Sequence, residues 1–265
     1  MSTPVPWTMV AEGYVSDTRP LFRQYCEKAI ELSGLNGAEK ILDVACGPGT
    51  LSLVIGDQAR EIHAIDFSQG MLDCFNGEIE RLGISNIKTY LMDGQSLEFE
   101  NDEFDRAFSI FGLMFFPDRA RGFRELHRTL RPGGRAVVTS WAPVSDSPGM
   151  QLMFAAIQQA FPKKPESSTK ILNLEDPDNF EKEMTEAGFR DVAITPFDGL
   201  WPVESAEQFL DSIVRGSAPL VMLKNQVGDE IWAEKRKIML DYLRAELTEL
   251  PSTVSSRAFI GVGSK

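Results

Sequence analysis

The chain has 265 residues, 43% of them hydrophobic, with 39 acidic against 27 basic side chains and a net charge of -12. A chain of this length and composition builds a real core, and its negative excess argues against a polyanionic partner, which excludes nucleic acid as the expected substrate. The three cysteines, Cys26, Cys46 and Cys74, show neither disulfide nor zinc-ligand spacing, no signal-peptide layout opens the chain, and the longest apolar run, Ala107 to Phe116, is about half of a roughly 20-residue membrane span. These features predict a cytoplasmic protein with no bound metal and no membrane span.

From Lys40 to Trp141 short apolar runs alternate with helix-period segments, the pattern of β-α-β units and a parallel sheet. Strands are expected at Lys40–Ala45, Glu61–Asp66, Ile87–Met92, Phe104–Phe111 and Gly134–Trp141. Between the second and third, Ser68 is an N-cap, Met71, Leu72, Phe75, Ile79 and Leu82 recur at helix spacing, and Gly83 is the stop. Pro132-Gly133-Gly134 makes the turn into the fifth strand. Four prolines between Ala142 and Pro165 mark an insertion with one short helix, Met150 to Phe161. Asp176-Pro177 then opens a helix stopped by Gly188, and a strand follows at Val192–Pro196. Ser205-Ala206-Glu207-Gln208 has the capping-box form, a longer amphipathic helix runs from about Asp229 to Glu249, and Arg257–Gly263 is a last, antiparallel strand.

The first strand ends in Asp43-Val44-Ala45-Cys46-Gly47-Pro48-Gly49-Thr50. Glycines there let a ligand approach the backbone, and the next helix offers unpaired N–H groups. A dinucleotide fingerprint needs a third glycine, and Ser52 stands in its place. The octet is instead very similar to the first motif of class I S-adenosylmethionine-dependent methyltransferases. The resemblance covers roughly residues 38 to 142 and extends to Ala64-Ile65-Asp66-Phe67-Ser68, Met92-Asp93-Gly94, Phe108-Ser109-Ile110-Phe111 and Glu125-Leu126-His127-Arg128-Thr129-Leu130-Arg131-Pro132-Gly133-Gly134.

With the element order, the resemblance implies an α/β fold: a Rossmann-like three-layer sandwich around a mostly parallel seven-stranded sheet with an antiparallel last strand, plus helical cap insertions. One domain is expected, its core at about 38–142, 176–196 and 255–265 and its cap segments at 1–25, 143–175 and 197–250. The implied cofactor is S-adenosylmethionine. Asp66 would bind its ribose hydroxyls, Asp93 and Gly94 its adenine, and the strand carrying Ser109 and Phe111 its methionine moiety. Asp43, Ala45, Gly47, Gly49, Phe67, Met71 and Gln95 complete the expected cofactor set.

Methyl transfer from a sulfonium is a one-step in-line displacement, so holding the acceptor at about 3–3.5 Å supplies much of the acceleration. No general base stands out. Tyr14 and His127 are the candidates for a catalytic role; Tyr14 lies in a segment that resembles the family's lid, and a packing or capping role for His127 is the plainer alternative. Trp7, Tyr14, Met114, Phe115 and Trp201 are the candidate acceptor pocket. The expected acceptor is a small, apolar or aromatic molecule methylated on O, N or C, with monomer and homodimer both open. The alternatives are a cofactor-binding regulatory or assembly subunit and, with less support, an NAD(P)-dependent oxidoreductase.

Overall fold

The computed structural model describes residues 3–162 and 173–265, so part of the expected cap, 163–172, lies outside the described residues. Seven strands, β1 (Lys40–Val44), β2 (Glu61–Asp66), β3 (Ile87–Leu91), β4 (Phe104–Ile110), β5 (Leu130–Trp141), β6 (Arg190–Val203) and β7 (Ser252–Ser264), form one sheet in the order β3-β2-β1-β4-β5-β7-β6. Only β7 runs antiparallel to its neighbours.

The strands supply both faces by simple alternation. Leu42, Ala107 and Val138 pack with Phe123 and Leu126 of α5 (Arg119–Thr129) and Phe180 and Met184 of α7 (Pro177–Glu186). Ile41, Phe108 and Val137 pack on the other side with Ala29 of α2 (Arg19–Ser33), Ile55 of α3 (Thr50–Ile55) and Phe75 of α4 (Gln69–Leu82). Each such fully buried large side chain contributes about 1.5–3 kcal/mol. This is the expected three-layer arrangement.

The predicted caps form: the Ser68 hydroxyl accepts from Met71 N, the Asp176 carboxylate from Asp178 N and the Ser205 hydroxyl from Gln208 N, while Gly83 takes the left-handed conformation at φ 67°. Residues 131–134 loop out of the β4–β5 ladder, whose register jumps from Phe104↔Leu130 to Arg106↔Arg135. The strand expected at 192–196 is in fact 14 residues long. It is an edge strand, where Pro196 and Pro202 cost no ladder partner. The Gln24 side chain of α2 closes that edge at one point, donating to the Leu200 carbonyl at 3.0 Å and accepting from its N–H at 2.8 Å.

Two segments outside the sheet are helical. Residues 5–33 are helical: α1 (Val5–Gly13), a π-turn (Tyr14–Thr18) and α2, which lies along the sheet with Tyr25 fully buried and its hydroxyl donating to the Ser256 carbonyl at 2.7 Å. Beyond the sheet, α6 (Pro148–Ala160), α8 (Ala206–Gly216), α9 (Ala218–Val227) and α10 (Asp229–Glu246) share a separate core around Phe209, Ile213, Leu220, Trp232 and Leu243. Among the described residues no helix is long and apolar enough to cross a membrane.

Candidate functional site

Strand order reverses at β1, which has β2 on one side and β4 on the other. In open parallel sheets ligands bind at this switch point, beyond the carboxyl ends of the strands. A cavity lies there, and its lining includes residues from the ends of β1, β2, β3 and β4.

The strand ends are strained. Ala45 and Phe111, the residues just after β1 and β4, are both non-glycine at positive φ, 57° and 56°. Each costs on the order of 1–3 kcal/mol and persists only where its surroundings impose it. Cys46 N donates to the Ile65 carbonyl at 2.9 Å, Phe111 N donates to Thr139 Oγ1 at 2.8 Å, and the Phe111 ring stacks on Trp141 with centroids 4.1 Å apart. Gly49, at φ 80°, turns the chain into α3 so close to Phe75 that a Cβ would overlap its ring.

Two acids are buried below this turn. Asp66 accepts from Gly47 N at 2.9 Å and Ser68 N at 2.8 Å, lacing the glycine loop to β2. Burial raises its pKa to about 6, against the lowering pull of those N–H groups. Asp43 is held by the Ser52 hydroxyl at 2.6 Å, and burial raises it to about 7. Ser52 is thus a strut under the loop. Among the described residues neither acid has a basic ion-pair partner.

Asp93, at the exposed rim, accepts from the Gln95 N–H at 2.9 Å, and Gly94 packs where a Cβ would strike Phe116 and Val44. On the opposite rim, Trp7 of α1 meets Phe115 edge-on at 5.1 Å and Tyr14 meets Phe22 at 5.7 Å. Thr8 and Ser68 hydroxyls bond at 2.9 Å, and Gly70 leaves room for Thr8. Arg215 of α8 clasps Asp17 through two hydrogen bonds of 2.7 and 2.8 Å. Burial, with Cys26 and Asp66 nearby, pushes the Tyr14 phenol well above its usual pKa, so it stays protonated at neutral pH.

The expected residues Asp43, Ala45, Gly47, Asp66, Phe67, Met71, Asp93, Gly94, Gln95 and Phe111 all line the cavity, as do Trp7, Tyr14 and Phe115. Five do not. Gly49 shapes the turn from behind, and Ser109 lies beneath the cavity with its hydroxyl accepting from Leu113 N at 3.1 Å. Met114 points into the core, its sulfur 3.5 Å from the Ser140 hydroxyl. Trp201 sits on β6 at the seam between the sheet core and the helical core. His127, in the last turn of α5, packs edge-on against Phe189 at the opposite end of the strands. Phe116, which follows β4, lines the cavity too, and so do Phe22, Cys26 and Met92, which the sequence does not assign to the site. Phe22 and Cys26, four apart, carried the one available signal, a shared helix face.

The methyltransferase-domain family profile matches residues 41–134. Over 176 residues the chain is 32% identical to the demethylmenaquinone methyltransferase of Staphylococcus carnosus, an alignment covering 60% of this chain and 71% of the relative. The chain belongs to the class I S-adenosylmethionine-dependent methyltransferases. A second methyltransferase relative, the ubiquinone/menaquinone biosynthesis C-methyltransferase UbiE of a Geobacter species, is 28% identical over 184 residues, 64% of this chain and 78% of that one. Two solved structures share the enzyme's fold: the YcgJ protein of Bacillus subtilis (TM-score 0.57, 17% identity, 91% of this chain and 97% of that one) and a Haemonchus contortus phosphoethanolamine N-methyltransferase in complex with S-adenosylhomocysteine (TM-score 0.57, 15% identity, 91% and 53%). This methyltransferase's cavity suits the cofactor: it opens at the strand ends with Asp43, Asp66 and Asp93 in its lining, and among the described residues its two buried acids have no basic partner.

Proposed function

We propose that this enzyme methylates an uncharged, apolar or aromatic small molecule held against the cofactor beneath α1 and the π-turn. The observation that carries this reading is the lining: Trp7, Phe22, Phe115, Phe116 and Met92 face the cavity, and among the described lining residues there is no lysine, arginine or histidine. An acceptor bearing a carboxylate or phosphate would enter such a site unpaired, at a cost of several kcal/mol. The quinone rings named in two relatives belong to the favoured class, and ring carbon or ring oxygen is the expected target atom.

Asp66 has lone pairs to spare beyond its two backbone donors, enough for both hydroxyls of a ribose. Asp93, Gly94 and Gln95 would meet the adenine, and Asp43 and the Phe111 backbone would flank the amino-acid portion, a reading supported by their common place in the cavity lining. When bound, the cofactor supplies an activated methyl group. The protein's own share is orientation and exclusion of water by Trp7 and Tyr14. A protonated Tyr14 serves as a hydrogen-bond donor to an acceptor oxygen, and its role is not that of a base.

The test is titration calorimetry with S-adenosylmethionine and S-adenosylhomocysteine, followed by methyl incorporation into a panel of hydroquinones and their carboxylated analogues. Neutral hydroquinones should be methylated and the carboxylated ones refused; preference for the carboxylates refutes the reading. Asp66→Ala should abolish cofactor binding.

A further inference from the structure

The connection between β3 and β4 has little regular structure of its own, yet it carries Asp93, Gly94 and Gln95 to the cavity. It is held from outside. Arg128, near the end of α5, donates to the Leu97 carbonyl at 2.9 Å, the Phe99 carbonyl at 2.8 Å and the Asn101 side chain at 2.9 Å. Glu125, one turn earlier, accepts from Leu97 N at 2.8 Å and binds the same guanidinium through both oxygens at 2.9 and 2.8 Å. The planar fork of an arginine suits this: several backbone groups of one irregular segment are fixed by one rigid group, itself oriented by a carboxylate.

The other end of α5 completes the brace. The amide of Gln95 donates to Asp93 at 3.1 Å while its oxygen accepts from the N–H of Asp118, whose carboxylate caps the helix by accepting from Arg121 N at 2.9 Å. From 118 to 128 the helix spans about 15 Å. One helix thus fastens the rim loop at both ends, and neither Glu125 nor Arg128 lines the cavity.

We propose that Glu125 and Arg128 are positioning residues for the adenine end of the cofactor, acting through the 93–101 loop. The proposal rests on the assignment of Asp93 and its neighbours to the adenine. A loop freed from this pair samples many conformations, and the ligand must then pay for the ordering that α5 supplies in advance.

The full-length enzyme is titrated calorimetrically with S-adenosylhomocysteine and with adenosine, and the melting temperature of each variant is recorded. Arg128→Gln should weaken both probes about tenfold and by the same factor, and Arg128→Lys should recover part of the loss. Glu125→Gln keeps an acceptor for Leu97 N but loses the charge, and should lie between. Glu183→Gln is the control: it weakens the 2.6 Å pair of hydrogen bonds that Arg119 makes to α7, on the same helix, and should leave both affinities unchanged at a comparable loss of melting temperature. Equal weakening by the control, or affinity within about twofold of wild type in Arg128→Gln, overturns the proposal. A wild-type enzyme that binds neither probe overturns the adenine assignment itself, and the positioning role with it.

Discussion

Asp43→Asn is the sharpest probe of the buried acids. The carboxyl sits fully buried with the Ser52 hydroxyl as its side-chain partner at 2.6 Å, and its pKa rises from 3.8 to about 7. A rise of about 3 units corresponds to about 4 kcal/mol of preference for the neutral form. The folded state therefore holds this proton more tightly than the unfolded chain. The stabilisation is complete below pH 3.8, drains away as pH climbs to about 7 and is constant above that. Asparagine has the shape of the neutral acid and keeps an acceptor for Ser52, but has no charge to bury. Between pH 5 and pH 8 the stability of the variant relative to wild type should therefore grow by about 3 kcal/mol, about 5–10 °C of melting temperature for a chain of this size. Thermal melts of the unliganded protein across that range measure it directly. A gap that stays constant with pH, or widens toward acid, refutes the assignment of an uncompensated buried carboxyl at Asp43.

Three further outcomes follow from the geometry. Gly49→Ala places a Cβ against the Phe75 ring at a φ of 80°, and should lose more than about 2 kcal/mol in urea unfolding. Tyr14→Phe should keep the pH profile of turnover, because the phenol it removes is protonated throughout the neutral range; loss of an acid-side limb would reveal a base instead. Asp17→Asn loosens the clasp between the π-turn and Arg215, and should speed release of S-adenosylhomocysteine in stopped-flow measurements while the melting temperature moves by less than about 3 °C.

Local signals made much of this molecule legible. Ser68, Asp176 and Ser205 cap helices because each needs only its own next few residues, and the glycine turn and Asp66 belong to strand ends that the apolar runs define. Counting alternate faces fails where the backbone leaves the β region. Phe111 at positive φ, followed by the 3-10 turn at Leu113–Phe115, sends Met114 inward and Phe115 and Phe116 to the cavity. Helix α2 hides its stripe because Cys26, Ala29 and Ser33, three of its buried positions, are small and weakly apolar. β6 was legible over less than half its length, since Pro196, Gly199 and Pro202 read as breakers and only the edge position excuses them. Trp201 accordingly belongs to a strand and not to a pocket.

The contacts of Tyr25 and Asp17 have a consequence for how the chain is made. Tyr25 is tied to Ser256, 231 residues later, and Asp17 to Arg215, 198 residues later. Phe22 and Tyr25 can pack on Phe111 and Trp141 as soon as β5 exists, but the two polar anchors of α2 and the π-turn come only with residues 215 and 256. A nascent chain can assemble β1 to β5, with every lining residue of the cavity already made, and still lack both of these anchors. Losing β7 would therefore do more than part β6 from β5: it would also leave Tyr25 of α2 without the carbonyl that anchors it.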